Sequence, residues 1–132
     1  MALNVPDVGE NLILEMIVNK TAAQNLSLRL YKNNITPSDT DTAATYTEAV
    51  FTGYSAITLT GASWGAAAAG TITYGAQQTF TCTATATDDI YGYYITQVSS
   101  GTLLYSERDA SAPFAVRNNG DAIKITPTIS AN

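Results

Sequence analysis

The sequence predicts a mainly β protein: a single-domain antiparallel β-sandwich, jelly-roll-like, with one N-terminal α-helix. Three observations lead there. Only one segment, near the N-terminus, repeats apolar residues at helical spacing. Almost every later segment alternates apolar and polar residues at period two, in short runs bounded by Gly, Pro, Asn or Ser. The 132 residues carry no repeat or linker, and fit one domain, 1–132, long enough to bury a core without staples.

The helix is expected over about 7–20. Pro6 stops helix before it, Asp7 can cap it, and Glu10 stands at the capping-box spacing. Val8, Leu12, Ile13, Met16 and Ile17 then recur at helical spacing, while Leu14 and Val18 widen the apolar arc. Such a helix is expected to be covered on more than one side, with its own sheet and a neighbouring subunit as the candidate covers.

The β-sandwich is expected over about 25–130. In NLSLRLYKN, Leu26, Leu28 and Leu30 alternate with Ser27, Arg29 and Tyr31, as in a half-buried strand. A polar loop with Pro37, Asp39 and Asp41 follows. From Tyr46 to Thr60 the chain is β-prone, with Phe51, Tyr54, Ile57 and Leu59 carrying the apolar load. GAAAAG after Trp64 reads as a loop, since so short a helix does not nucleate alone. ITYG is a short strand, and Gln77 to Thr87 a longer one with Phe80, Cys82, Ala84 and Ala86 at alternate positions. Ile90 to Val98, SSG and Thr102 to Arg108 predict a hairpin. PFAVRNNGDAIKITPTI predicts a second, turning at Asn119-Gly120, with Ile123 and Ile125 on one face and Pro127 marking the strand's end or an edge.

DDIYGYYITQ, Asp88 to Gln97, raises the functional question. In a regular strand, Tyr91, Tyr93 and Ile95 share one face, and Ile90, Gly92, Tyr94 and Thr96 the other. Both faces are largely apolar, which fits a central strand covered on both sides better than an open aromatic platform.

Chemistry is sparse. The net charge is −5 and the six basic residues are scattered, so no basic stripe offers itself to nucleic acid or to anionic lipid. There is no histidine, which removes the commonest general base and zinc ligand. Cys82, the only cysteine, reads as a small buried hydrophobe. Asp88 and Asp89 are adjacent, so a strand points them apart, and Glu107 with Asp109 read as hairpin-end charges. Asp39, Asp41 and Glu48 form a loose oxygen-rich group without EF-hand spacing. No catalytic, cofactor-binding or metal-binding residue is assigned, and no cofactor. The N-terminal apolar run is broken by Glu15, is too short to span a bilayer and lacks a basic leader, so a soluble cytoplasmic origin is expected. Only 13% of residues are charged, leaving two readings open: a surface partly covered by a partner, or a threonine-coated one.

The block GENLILEMIVNKTAAQNLSLRLYKNNITPSDTDTAATYTEAVFTGYSAITLTGASW resembles the first half of a family of small virion proteins of tailed bacteriophages. DDIYGYYITQ, LLYSERDASAPFAV and NNGDAIKITPTI resemble its second half. The resemblance implies a non-enzymatic accessory structural protein, made in the bacterial cytoplasm and carried on the virion. Capsid cement or decoration is the favoured role, with the major capsid protein as partner and a homo-oligomer, dimer or trimer, on the shell. A tail, neck or fibre-attachment component is the alternative. A carbohydrate-binding module stacking sugars on Tyr91, Tyr93 and Trp64 is a further one. The residues expected to pack or assemble are Leu12, Met16, Ile17, Tyr91 and Tyr93.

Overall fold

Helix α1 spans Asp7–Ile17, shorter than its apolar pattern, and its N-terminus is not built as the capping signal predicts. In this computed structural model, which describes residues 3–131, Pro6 holds the cap position in extended conformation and no side chain caps the helix. The Pro6 carbonyl accepts from the N–H groups of Gly9 and Glu10, while the Asp7 N–H is tied to the Asp39 carbonyl. Asp7 is therefore the first helical residue, and its charge and that of Glu10 face the positive end of the helix dipole. The helix stops because Asn19 turns left-handed at φ 59°, a conformation Asn tolerates just past a helix end. Glu15 then gathers the following chain. Its carbonyl accepts the Lys20 and Thr21 N–H groups, and its carboxylate accepts the Thr21 hydroxyl at 3.0 Å.

The remainder is β. Ten strands follow among the described residues: β1 (Leu26–Tyr31), β2 (Ile57–Leu59), β3 (Thr71–Thr73), β4 (Gln78–Thr81), β5 (Asp88–Ile90), β6 (Gly92–Gln97), β7 (Leu103–Arg108), β8 (Phe114–Val116), β9 (Ala122–Ile125) and β10 (Thr128–Ser130). A four-stranded antiparallel sheet, ordered β2-β1-β6-β7, forms the middle of the molecule. Leu28, Leu30, Leu59, Tyr93 and Ile95 join the major core, with Phe51, Phe80, Cys82, Ile90 and Val116. Tyr31, Tyr46, Tyr94 and Leu103 form a second core, against which Val8 of α1 packs. β1 is thus covered on both faces, not half-buried: Ser27 and Tyr31 are buried beside Leu28 and Leu30. All six residues of β6 are buried, as a doubly covered central strand requires.

The second β layer is one long ribbon. Chain 70–90 runs antiparallel to chain 114–131 through three ladders, β3 with β10, β4 with β9 and β5 with β8. Single bonds link them: Ala131 N–H to Gly70, Tyr74 N–H to Pro127, Cys82 N–H to Asp121 and Ala86 N–H to Arg117. The second hairpin expected from the sequence does not form, because β8 and β9 pair with β5 and β4 and not with each other. A two-residue hairpin turn of type I′ needs positive φ at both central residues. Here Gly120 has φ 98°, while Asn119 is not left-handed. The turn closes on itself, with Asp121 Oδ2 accepting the Arg117 and Asn118 N–H groups at 2.9 Å, and acts as a bulge within one running strand. Opposite this bulge the strand expected over 77–87 is interrupted after Thr81, although Cys82 stays buried.

Two expectations on connections are met and one is trimmed. The β6–β7 hairpin forms around Gly101, at φ 70°. GAAAAG is a loop that turns tightly at Ala69-Gly70, where Ala68 bridges Thr71. The β-prone stretch from Tyr46 to Thr60 yields only β2 and one bridge from Glu48 to Tyr31, yet Phe51 and Leu59 are buried and Tyr54 and Ile57 pack on the major core. The accessible surface, 6930 Å², matches the roughly 6,700 Å² expected of a monomer of this mass. The chain is therefore folded as compactly as other single chains of its mass.

Candidate functional site

Two features of the surface stand out: the outer face of α1, and a cleft between the sheet and the ribbon. α1 lies close on β7 because Gly9 has no side chain. A Cβ there would come within 2.6 Å of the Leu104 carbonyl oxygen. That close approach turns Val8 and Leu12 inward, and Leu12 is 8% exposed. Met16 is half-buried. Leu14, Ile17 and Val18 are 61%, 73% and 72% exposed. Their i, i+3, i+4 spacing puts them in one outward stripe. The three helix residues singled out from the sequence are thus not one surface, since Leu12 faces inward and Ile17 outward. Leu14 and Val18 belong with Ile17. The widened apolar arc was their signal.

The tyrosines separate in the same way. Tyr91 sits where the chain leaves β5 for β6, its N–H donating to the Tyr31 carbonyl at 3.0 Å. Its ring packs toward the second core, with the Arg108 guanidinium 5.1 Å above it. Tyr93 is in the major core, 9% exposed, directly across from Glu107 of β7. Tyr91 and Tyr93 therefore lie on opposite sides of the sheet, not on one face. The break in the strand at Tyr91 shifts the alternation by one residue. Trp64 is half-buried and packs edge-on to Tyr74 at 5.1 Å. These three rings form no common stacking plane.

The carboxylates are mostly occupied. Asp88 accepts the Val50 N–H at 2.8 Å and pairs with Lys32, while Asp89 pairs with Arg117 at 2.6 Å. Asp41 Oδ2 accepts the Ser38 N–H and the Tyr46 hydroxyl, and Glu48 accepts from Arg29 and from the Tyr54 hydroxyl at 2.7 Å. Asp39, Asp41 and Glu48 do not converge, and among the described residues no three acidic, cysteine or histidine side chains group to hold a metal. Cys82 is buried, its thiol 2.9 Å from the Ala84 carbonyl.

Glu107 and Asp109 are different. They line a cleft of about 630 Å³ with Tyr93, Phe114 and the run Ala122 to Thr126. Burial pushes the Glu107 carboxyl up from its ordinary value, with the neighbouring Asp109 charge adding to the effect. Burial, and then the Glu107 charge, pushes the Tyr93 phenol up as well. Among the described residues neither Glu107 nor Asp109 has an ion-pair partner.

No helix among the described residues is long and apolar enough to cross a membrane. No protein-family model matches the chain, and a search of curated proteins finds no match.

Proposed function

We propose that this chain is a non-enzymatic structural protein of a tailed-bacteriophage virion, a capsid cement or decoration protein that binds the major capsid protein at the capsid surface and assembles there as a small homo-oligomer. The sequence resemblance suggests the setting. The observation that carries the assembly role is the outward stripe Leu14, Ile17 and Val18, on a helix whose inner face is already satisfied by its own sheet.

Magnitudes decide how such a stripe works. Burying one of these side chains is worth roughly 1.5–3 kcal/mol, so three supply roughly 5–9 kcal/mol. Association costs roughly 4–15 kcal/mol in lost freedom. The stripe alone holds a weak pair at best. Repeated over a lattice, where binding at one contact raises the effective concentration at the next, the same stripe holds firmly. That is the arithmetic of a cement protein.

The test is the double substitution Leu14→Asp and Ile17→Asp. Both side chains are exposed, so the isolated chain stays folded, with a stability loss of about 1–2 kcal/mol because acidic residues oppose the dipole at a helix C-terminus. Cosedimentation with capsids lacking the protein should fall, and the weak pairing that native mass spectrometry detects at high concentration should be lost. A variant that assembles and binds like the parent sinks the proposal.

A further inference from the structure

On the side where β7 edges the four-stranded sheet, the sheet and the ribbon do not close, and the cleft described above lies between them. One wall has an informative pattern: Ala122, Ile123, Lys124, Ile125 and Thr126 all line it. Side chains alternate faces along a strand, so five consecutive residues along one cleft present the strand's main-chain edge to it. β9 pairs with β4 on its other edge, and no other strand among the described residues pairs with it. Alternate N–H and C=O groups of this edge are thus left for water or for an incoming strand.

The rest of the cleft restricts what comes in. Ile123 and Ile125 offer an apolar strip, with Phe114 exposed at 39% nearby. Glu107, which Tyr93 faces, and Asp109, whose Oδ1 accepts the Ser111 N–H, supply two carboxylates with no ion-pair partner among the described residues, and Lys124 is on the strand itself. A second copy fits poorly. In the symmetric register that sets Lys124 against Lys124, edge-to-edge pairing of two β9 strands brings like charges across the ladder, and these repel. A cation from a different chain meets complementary charge.

We infer that this cleft receives an extended segment of another protein as an added β-strand on β9, with a lysine or arginine seated between Glu107 and Asp109 and alternate apolar side chains against Phe114, Ile123 and Ile125. The inference goes beyond the virion role and does not depend on it.

The probe is a synthetic library of peptides about nine residues long, the length of a typical strand with short flanks. Randomised apolar residues alternate with threonine, and one position is fixed as lysine in half of the library and as glutamate in the other half. Binders should come from the lysine half, shift the amide resonances of Ala122 to Thr126 in the isotopically labelled protein, and slow their exchange. Methylating alternate peptide amides should abolish binding. The double variant Glu107→Gln, Asp109→Asn keeps the oxygen that accepts the Ser111 N–H, and should bind on the order of tenfold more weakly with its unfolding midpoint unchanged. The inference is overturned if the lysine half yields no binder, if the glutamate half binds as well, or if the shifts map elsewhere. It is also overturned if the same amides shift with protein concentration alone, which would make the occupant a second copy.

Discussion

Tyr46 concentrates much of what holds the second core together. Its hydroxyl donates to Asp41 Oδ2 at 2.7 Å and lies 2.8 Å from the Ser106 hydroxyl, while its ring stacks on Tyr94 at 5.0 Å and tilts against Tyr31 at 4.9 Å. Burial pushes the phenols of Tyr31 and Tyr94 up to about 12, and raises those of Tyr46, Tyr54 and Tyr93 as well. A raised phenol pKa means that the folded chain holds the proton more tightly than the unfolded chain does. The stability so gained is complete below about pH 10, the unfolded value, and is lost as pH rises through the folded values near 12. In an alkaline titration followed by phenolate absorbance, these five tyrosines should stay protonated through the ordinary range and then ionise together with loss of the β circular-dichroism signal. Smooth ionisation of all eight tyrosines near pH 10 with the fold intact would contradict this packing.

At the scale of elements, spacing between strands depends on one residue. A Cβ on Gly92 would overlap the Glu107 carbonyl oxygen and come within 2.8 Å of the Tyr31 ring. β1, β6 and β7 can lie this close only with glycine there. Gly92→Ala should destabilise the protein by about 3 kcal/mol or more, read from the urea midpoint, because backbone and a buried ring must both move. A loss below about 1 kcal/mol would mean that the strands have slack. What the sequence reveals about elements follows from how local each cause is. Alternation in Leu26 to Tyr31 and the SSG turn set β1 and the β6–β7 hairpin, because neighbours along the chain suffice. The glycine in Asn119-Gly120 marks a turn, but its flanks pair with β5 and β4, and that competition is invisible locally. Tyr91 breaks the alternation because the chain changes ladders there, from β8 to β1. The site was half legible for the same reason. The apolar arc of α1 is in the sequence, but which part faces outward depends on Gly9 meeting Leu104.

At the scale of the whole molecule, the chain closes two cores of its own and leaves an outward apolar stripe on α1 and an open cleft. Four of its six basic residues, Lys20, Arg29, Lys32 and Arg117, are spent on internal ion pairs, and Arg108 donates to the Ile35 carbonyl at 2.9 Å. With a net charge of −5, the remaining surface is negative on balance. A protein that acts by covering joints must be present wherever the joints are. Its copy number in purified virions, measured against the major capsid protein by quantitative mass spectrometry, therefore tests the central claim most directly. A shell-wide cement predicts a ratio near one or a simple large fraction of it. A few to a few dozen copies would contradict that role and place the protein in the tail or neck, and its absence from virions would contradict the structural assignment altogether.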